Sequence, residues 1–300
     1  MKRLLQILAF LCLLGLADWG CAALLNKGLD RYFGLDKPAD VVMVGHSHLM
    51  LALDKEKLEQ ELGMSVAKYC REGVNVSDRR QMLAYYLSLP ESKDTRLVIY
   101  GVDPFMFTGK GLSANSYKLF YPYMDAPVMA AYIKTQADGW SDYWIHKLVR
   151  SSRYSDALIN SAIRGWMNNW ANYKRGTVTP EQINAAAHRE IAFEADLVAD
   201  FSDSIRQLTN AGIRIILLDT PVVDTIRREN PATCARVSDF LRQLDESEEL
   251  VEYWDMNPEF SSRYELFYDA IHMNDVGQSE VTKYFITIIK SRSRFFYNIR

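Results

Sequence analysis

Cysteine is sparse in this sequence. The four cysteines stand at 12, 21, 70 and 234 with no metal-ligand spacing, which removes a cysteine-built metal site from consideration. Cys12 and Cys21 fall in an apolar N-terminal segment. Cys70 and Cys234 would pair only in an oxidising compartment and only if the fold joined them, so two separate buried thiols are expected. An excess of positive charge is also missing. A net charge of −3 leaves no broad electrostatic case for binding nucleic acid. No internal repeat or low-complexity tract is visible. What remains is an ordinary globular composition, 48% hydrophobic and 24% charged, with ample material for a core. Three hundred residues fit one large domain or two small ones, and length does not choose between them.

One long apolar run is present. Lys2 and Arg3 precede residues 4–25, which are interrupted mainly by Gln6 and Asp18. As a helix this run would extend roughly 33 Å, about a bilayer core. The leading positive charges favour a cytoplasmic N-terminus and an exported remainder. Residues 1–25 therefore read as a membrane anchor facing an extracytoplasmic domain. A cleaved signal segment is the alternative, because 4–17 suits a signal-peptide core and Gly20-Cys21-Ala22-Ala23 offers small residues for cleavage. A buried N-terminal helix of a cytosolic protein fits less well, given the flanking charges and the polar stretch that follows. That stretch, 26–39, with Gly28, Gly34 and Pro38, reads as a linker.

From 40 onward, strand and helix patterns alternate. Apolar, β-branched runs at 40–45, 96–100 and 213–218 suit strands buried on both faces, and 65–70 and 250–255 read as two further strands. Helices are expected at 54–62, at 77–89 before Pro90, and from the cap Asn274 to about 289. This order predicts an α/β fold, an open parallel sheet of about five strands with helices on both faces. Ligands then bind at the C-terminal edge of the strands. Residues 105–210 carry no convincing strand and read as a helical insertion. Within it, Thr179-Pro180-Glu181-Gln182 has the form of a capping box opening a helix to about 210. Aromatic pairs three and four apart, such as Trp140–Trp144 and Trp166–Trp170, suit a core stripe, with a lid or sugar-binding surface as the alternative. The tail 290–300 has four basic residues around Phe295, Phe296 and Tyr297, and suits either contact with lipid head groups or a partner, or a solvated end.

Two short motifs carry chemistry. Gly45-His46-Ser47-His48 follows the first strand, where a serine is exposed at the sheet edge near a helix start. Serine is a weak nucleophile without a base. Asp269-Ala270-Ile271-His272 supplies one near the other end: the histidine takes the serine proton and the aspartate orients the ring. Alone, the first is also an ordinary helix cap and the second half a metal site. Together, in the order Ser, Asp, His, they are compatible with a triad.

This block order resembles the SGNH (GDSL-like) hydrolase superfamily over residues 40–290. Gly45-His46-Ser47 stands where the family has its Gly-Asp-Ser block, and Asp269 with His272 where it has Asp-x-x-His. The resemblance implies Ser47, Asp269 and His272 as catalytic residues, with Ser47 and Gly73, in Cys70-Arg71-Glu72-Gly73-Val74-Asn75, as oxyanion donors. The family's third block ends in an asparagine donor, and here Asp103 occupies that place in Gly101-Val102-Asp103-Pro104. An ionised aspartate cannot donate. Asp103 is thus held protonated, or faces backbone or a metal, or the protein is catalytically weak. His46 and His48 are candidate substrate contacts. A metal site from His46, His48, Asp269 and His272 is the minor alternative, and none is assigned. The resemblance implies an esterase or O-acyltransferase of the cell envelope, without a cofactor. Its expected partners are an acyl donor or acylated glycan or lipid, the membrane through the N-terminal segment, and a membrane acyl-transfer partner. A catalytically inactive envelope glycan-binding or assembly protein is the alternative.

Overall fold

Runs of aliphatic and β-branched residues at 41–45, 97–102 and 214–219 form the three central strands of the sheet, because extended backbone buried on both faces selects such side chains, while the edge strands at 66–70 and 251–255 are more mixed. A computed structural model describes residues 1–109 and 115–292, so most of the basic, aromatic tail, from 293, lies outside the described residues. In chain order the elements are α1 (Lys2–Phe33), β1 (Val41–Gly45), α2 (Ser47–Ala52), α3 (Lys55–Leu62), β2 (Val66–Cys70), α4 (Val76–Ser88) and β3 (Leu97–Val102). Next come α5 (Pro127–Gln136), α6 (Trp140–Leu148), α7 (Asp156–Trp166), α8 (Pro180–Ala187), α9 (Ala195–Asn210) and β4 (Arg214–Asp219). The chain closes with α10 (Asp224–Glu229), α11 (Pro231–Ser247), β5 (Val251–Asp255), α12 (Asn257–Phe260), β6 (Phe267–Asp269), β7 (His272–Met273) and α13 (Asp275–Ser291).

The chain divides into two compact units. One is Lys37–Ser113 with Trp170–Arg300. It contains a five-stranded sheet in the order β2-β1-β3-β4-β5, and every pairing is parallel. This is the α/β architecture expected from the alternation of patterns. The order reverses between β1 and β3, which opens a crevice at the C-terminal ends of those strands. Val41 to Val44 are buried, as are Leu97 to Tyr100 and Ile215 to Leu218. Cys70 and Cys234 are buried free thiols, and burial pushes the Cys70 thiol up to about 12.

The helix expected from Thr179 to about 210 is two helices. Thr179 and Gln182 do form the capping box of α8, but that helix ends at Ala187. Between α8 and α9, Ala192 N–H donates to Thr108 Oγ1 at 2.9 Å and Glu194 N–H to the Phe107 carbonyl at 3.0 Å. These tertiary bonds take amides that a continuous helix would need for itself.

The other unit is Met1–Asp36 with Ala114–Asn169. Helix α1 does not stop at 25. It continues through the stretch read as a linker and ends at Phe33, where Gly34 takes a left-handed cap. Packing holds this extension: Leu29, Tyr32 and Phe33 are buried. Helix α7 crosses α1 so closely that a Cβ on Gly165 would lie 1.9 Å from the Gly28 carbonyl oxygen. Only glycine permits that approach. Tyr117, Phe120, Tyr121 and Tyr123 are core residues of this unit. Trp166 and Trp170 share no helical face, since α7 ends at Trp166.

Candidate active site

Ser47 opens α2 immediately after β1. The helix can lie against the sheet because two strand glycines make room for it. A Cβ on Gly101 would meet the Leu49 Cβ at 2.7 Å, and one on Gly45 would meet it at 2.9 Å. His46 caps α2, its Nδ1 accepting from the His48 N–H at 3.1 Å.

Asp269 and His272 face each other across the short antiparallel pair β6–β7, so a three-residue spacing becomes a side-by-side contact. His272 Nδ1 lies 2.8 Å from Asp269 Oδ2 and 3.0 Å from Oδ1. The backbone N–H groups of Ile271 and His272 both donate to Asp269 Oδ1 at 3.0 Å. Burial opposes ionisation of Asp269, but these donors outweigh it and hold the carboxyl below its ordinary value. A carboxylate only accepts, so His272 Nδ1 carries the proton and Nε2 is left as an acceptor. Nε2 lies 2.8 Å from Ser47 Oγ. Asn274 secures the turn: it caps α13 through Gly277 N–H at 2.9 Å, and its Nδ2 donates to the Glu265 carbonyl at 2.8 Å. Ser47, distant in sequence, thus joins the local Asp269–His272 pair in one continuous hydrogen-bonded line.

A second histidine–aspartate pair lies beside it. Asp103, 1% exposed, accepts from His46 Nε2 through Oδ2 at 2.5 Å and from Phe105 N–H through Oδ1 at 2.8 Å. Burial opposes ionisation, but the hydrogen bond from His46 and the Arg79 charge outweigh it and hold the carboxyl well below the usual carboxylate range. With Nδ1 accepting and Nε2 donating, His46 is the neutral imidazole, and burial pushes its pKa down. Asp103 therefore does not replace the oxyanion donor of the resemblance. It is an ionised acceptor with both oxygens engaged, one on backbone and one on His46.

Ser47, Gly73, Asp103, His46, His48 and His272 line one cavity of about 300 Å³, a size that admits a small acyl group. Among the described residues, no protein group accepts the N–H of Ser47 or of Gly73. His46 has both ring nitrogens occupied, which makes it part of the wall. His48 is buried, and its Nδ1 has no hydrogen-bond partner, with Asp103 Oδ2 3.6 Å away. Burial pushes the His48 pKa far down, so the ring is neutral. Arg189 and Glu190 also line the cavity, with the Arg189 guanidinium 4.9 Å over the Phe105 ring.

The metal-type cluster in the structure differs from the one the sequence suggested. It is His46, His48 and Asp103, whose donor atoms lie within 4.8 Å of one another. Donors at zinc distances in a tetrahedron sit about 3.4 Å apart. The 2.5 Å His46–Asp103 separation is a hydrogen bond, so this set as folded does not fit a shared ion.

Sequence reasoning missed Arg79. It is fully buried, donates to the Gly101 carbonyl at 2.6 Å and lies 5.1 Å from the Tyr100 ring centroid. Its charge supports Asp103 as a carboxylate. Arg79 stands next to Arg80 in α4, and nothing in the sequence tells the buried arginine from its neighbour.

No protein-family model and no curated protein matches the chain. Among solved structures it is similar to a Streptococcus pneumoniae protein named as a platelet activating factor, with 10% identity, a TM-score of 0.42, and 95% of this chain and 99% of that one covered. It is also similar to the C-terminal catalytic domain of Streptococcus pneumoniae peptidoglycan O-acetyltransferase A, solved with a methylsulfonyl adduct. There the identity is 12% and the TM-score 0.37, covering 85% of this chain and 94% of that one. The chain's resemblance to SGNH-type hydrolases rests on block order and parallel-sheet topology.

Proposed function

We propose that the protein is a membrane-anchored, serine-dependent esterase or O-acyltransferase acting on cell-envelope glycans or lipids from the extracytoplasmic side. The observation that carries this reading is His272, placed 2.8 Å from both Asp269 Oδ2 and Ser47 Oγ. His272 Nε2 takes the Ser47 proton as Oγ attacks an acyl-ester carbonyl. Asp269 holds the ring and stabilises the imidazolium. The backbone N–H groups of Ser47 and Gly73 stabilise the tetrahedral oxyanion. His272 then returns the proton to the leaving alcohol, which leaves an acyl group on Ser47 Oγ. Water or a glycan hydroxyl, deprotonated by His272, removes that group. What supports the location is α1, a 32-residue helix long and apolar enough to cross a membrane, with Lys2 and Arg3 at its start. An acyl donor, supplied by a membrane acyl-transfer partner, completes the transferase form.

A fluorophosphonate probe tests the chemistry. Wild-type protein labels on Ser47 and Ser47→Ala does not. A folded wild type that resists probes of every acyl length overturns the reading. A second reading, a catalytically silent envelope glycan-binding or assembly protein, is favoured by Asp103 standing where an amide donor would be. A mass increment of an acyl group on Ser47 after incubation with envelope extract decides for the enzyme. Glycan binding that persists unchanged in Ser47→Ala, without any adduct, decides for the binder.

A further inference from the structure

Helix α6 is amphipathic in the reverse sense to a water-facing helix. None of its residues is buried, and the side turned toward its own unit is the polar one. Asp142 accepts from Tyr117 and Tyr121 hydroxyls at 2.9 and 2.8 Å. His146 stacks on Tyr121 with ring centroids 4.0 Å apart, and its Nδ1 lies 2.9 Å from Ser152 Oγ. Lys147 Nζ donates to the Met124 carbonyl at 2.9 Å. The outward side carries Trp140, 77% exposed, Leu148, 74% exposed, and the exposed Trp144 and Ile145. At 3.6 residues per turn these four fall within an arc of roughly 140°. An apolar arc on a helix whose polar side chains point inward has been selected for an apolar environment.

The position of this arc along α1 identifies that environment. The Asp18 carboxylate accepts the backbone N–H groups of Arg150 and Ser151, both at 2.8 Å. This ties the C-terminal end of α6 to α1 at residue 18. Tyr154 OH donates to the Ala22 carbonyl at 2.8 Å, one turn further on. From Lys2 to Asp18 a helix rises about 24 Å, most of a hydrocarbon core of about 30 Å. The bonds at Asp18 therefore set α6 beside the outer end of the apolar span. Trp19, 56% exposed, stands at the same level, where membrane proteins concentrate tryptophan. The exposed apolar surface of α1 thus continues onto α6.

We propose that α6 lies in the interface of the bilayer that α1 crosses, with Trp140, Trp144, Ile145 and Leu148 in the acyl boundary. This rests on reading α1 as a membrane anchor. Full-length protein with Cys12→Ser and Cys21→Ser, spin-labelled in lipid nanodiscs at a single introduced cysteine, tests it by oxygen against nickel-chelate accessibility. Labels at Trp140→Cys and Leu148→Cys should share the oxygen-favoured response of Leu13→Cys and differ severalfold from Glu246→Cys on α11. If Leu13→Cys reports lipid while both α6 labels match Glu246→Cys, the proposal is wrong and the anchor stands. If Leu13→Cys reports water, the anchor reading fails first, and the proposal with it. Water-exposed α6 labels that become immobile only in native membranes would show that a protein covers the arc, which also overturns it. Tryptophan quenching by brominated lipid offers a check without labels. Wild type should be quenched, and the double variant Trp140→Phe/Trp144→Phe should lose most of the quenching. Undiminished quenching in the double variant would contradict the proposal.

Discussion

Asp269–His272 and Asp103–His46 pair the same two residue types, both histidines line one cavity, and the pairs are built in opposite ways. In the first pair, Nδ1 of the ring is tied to the carboxylate and Nε2 is left for Ser47. In the second, Nε2 is tied to the carboxylate, Nδ1 accepts the His48 amide, and no nitrogen remains for a proton transfer. Asp103 is almost fully buried, whereas Asp269 and His272 are only partly so. A histidine–aspartate pair is therefore not a base by composition. It becomes one when a ring nitrogen is left over and a nucleophile stands beside it.

Breaking each pair in turn should separate them sharply. The largest effect is expected for His272→Ala, which should lower the acylation rate about 10⁴- to 10⁶-fold, as loss of a triad base does elsewhere. Stopped-flow labelling with an activated ester measures it; a loss below tenfold would exclude His272 as the base. Asp269→Asn should cost about 10⁴-fold, because an amide leaves the ring in the wrong tautomer.

Gly101→Ala acts on geometry. Its Cβ strikes Leu49, displaces α2 and lengthens the Ser47–His272 contact, for an expected loss of about 100-fold when a nucleophile shifts by about 1 Å. The double variant Gly101→Ala/Leu49→Ala should recover much of that rate, and failure to do so would refute the steric account. Asp103→Asn should change the acylation rate by less than about tenfold while lowering stability by about 1–3 kcal/mol, since it disturbs a buried charge-assisted bond. A loss in rate equal to that of Asp269→Asn would erase the distinction between the pairs.

The smallest effect concerns pH. His46 and His48 are held neutral when folded, and their pKa values are pushed below the ordinary histidine value. Below about pH 6.5 the unfolded chain binds protons that the folded chain refuses, so stability falls as pH drops. Each such group contributes a slope of at most about 1.4 kcal/mol per pH unit. Denaturant titrations from pH 7 to 5 should show this fall, and His48→Gln should flatten it. An unchanged slope in His48→Gln would show that the ring already takes a proton in the folded state.

Much of the sheet was legible because its central strands β1, β3 and β4 are buried on both faces, and that demand writes itself as a nearly unbroken aliphatic run. Asp269 and His272 were legible because their partnership is local. The course of α1 beyond residue 25 was not, since the close approach of Gly28 to α7 and the burial of Leu29 and Phe33 are not announced by a polar-looking stretch. The break between α8 and α9 depends on Thr108 and Phe107, more than 80 positions away. The direction in which Asp103 points depends on His46 and Arg79, which come from other elements.

By itself the sequence determined which segments form the five-stranded sheet, though not the β6–β7 pair, that a long apolar helix begins the chain, and that a serine and an Asp-x-x-His stand at the same sheet edge. Those features follow from local periodicity and from side chains close in the chain. Only the tertiary structure decided which of two histidine–aspartate pairs meets Ser47, and which side of α6 faces outward. The reason is that hydrogen-bond partners and burial are properties of position in space, and residues 47, 103 and 272 acquire theirs only when β1, β3 and the β6–β7 turn come together.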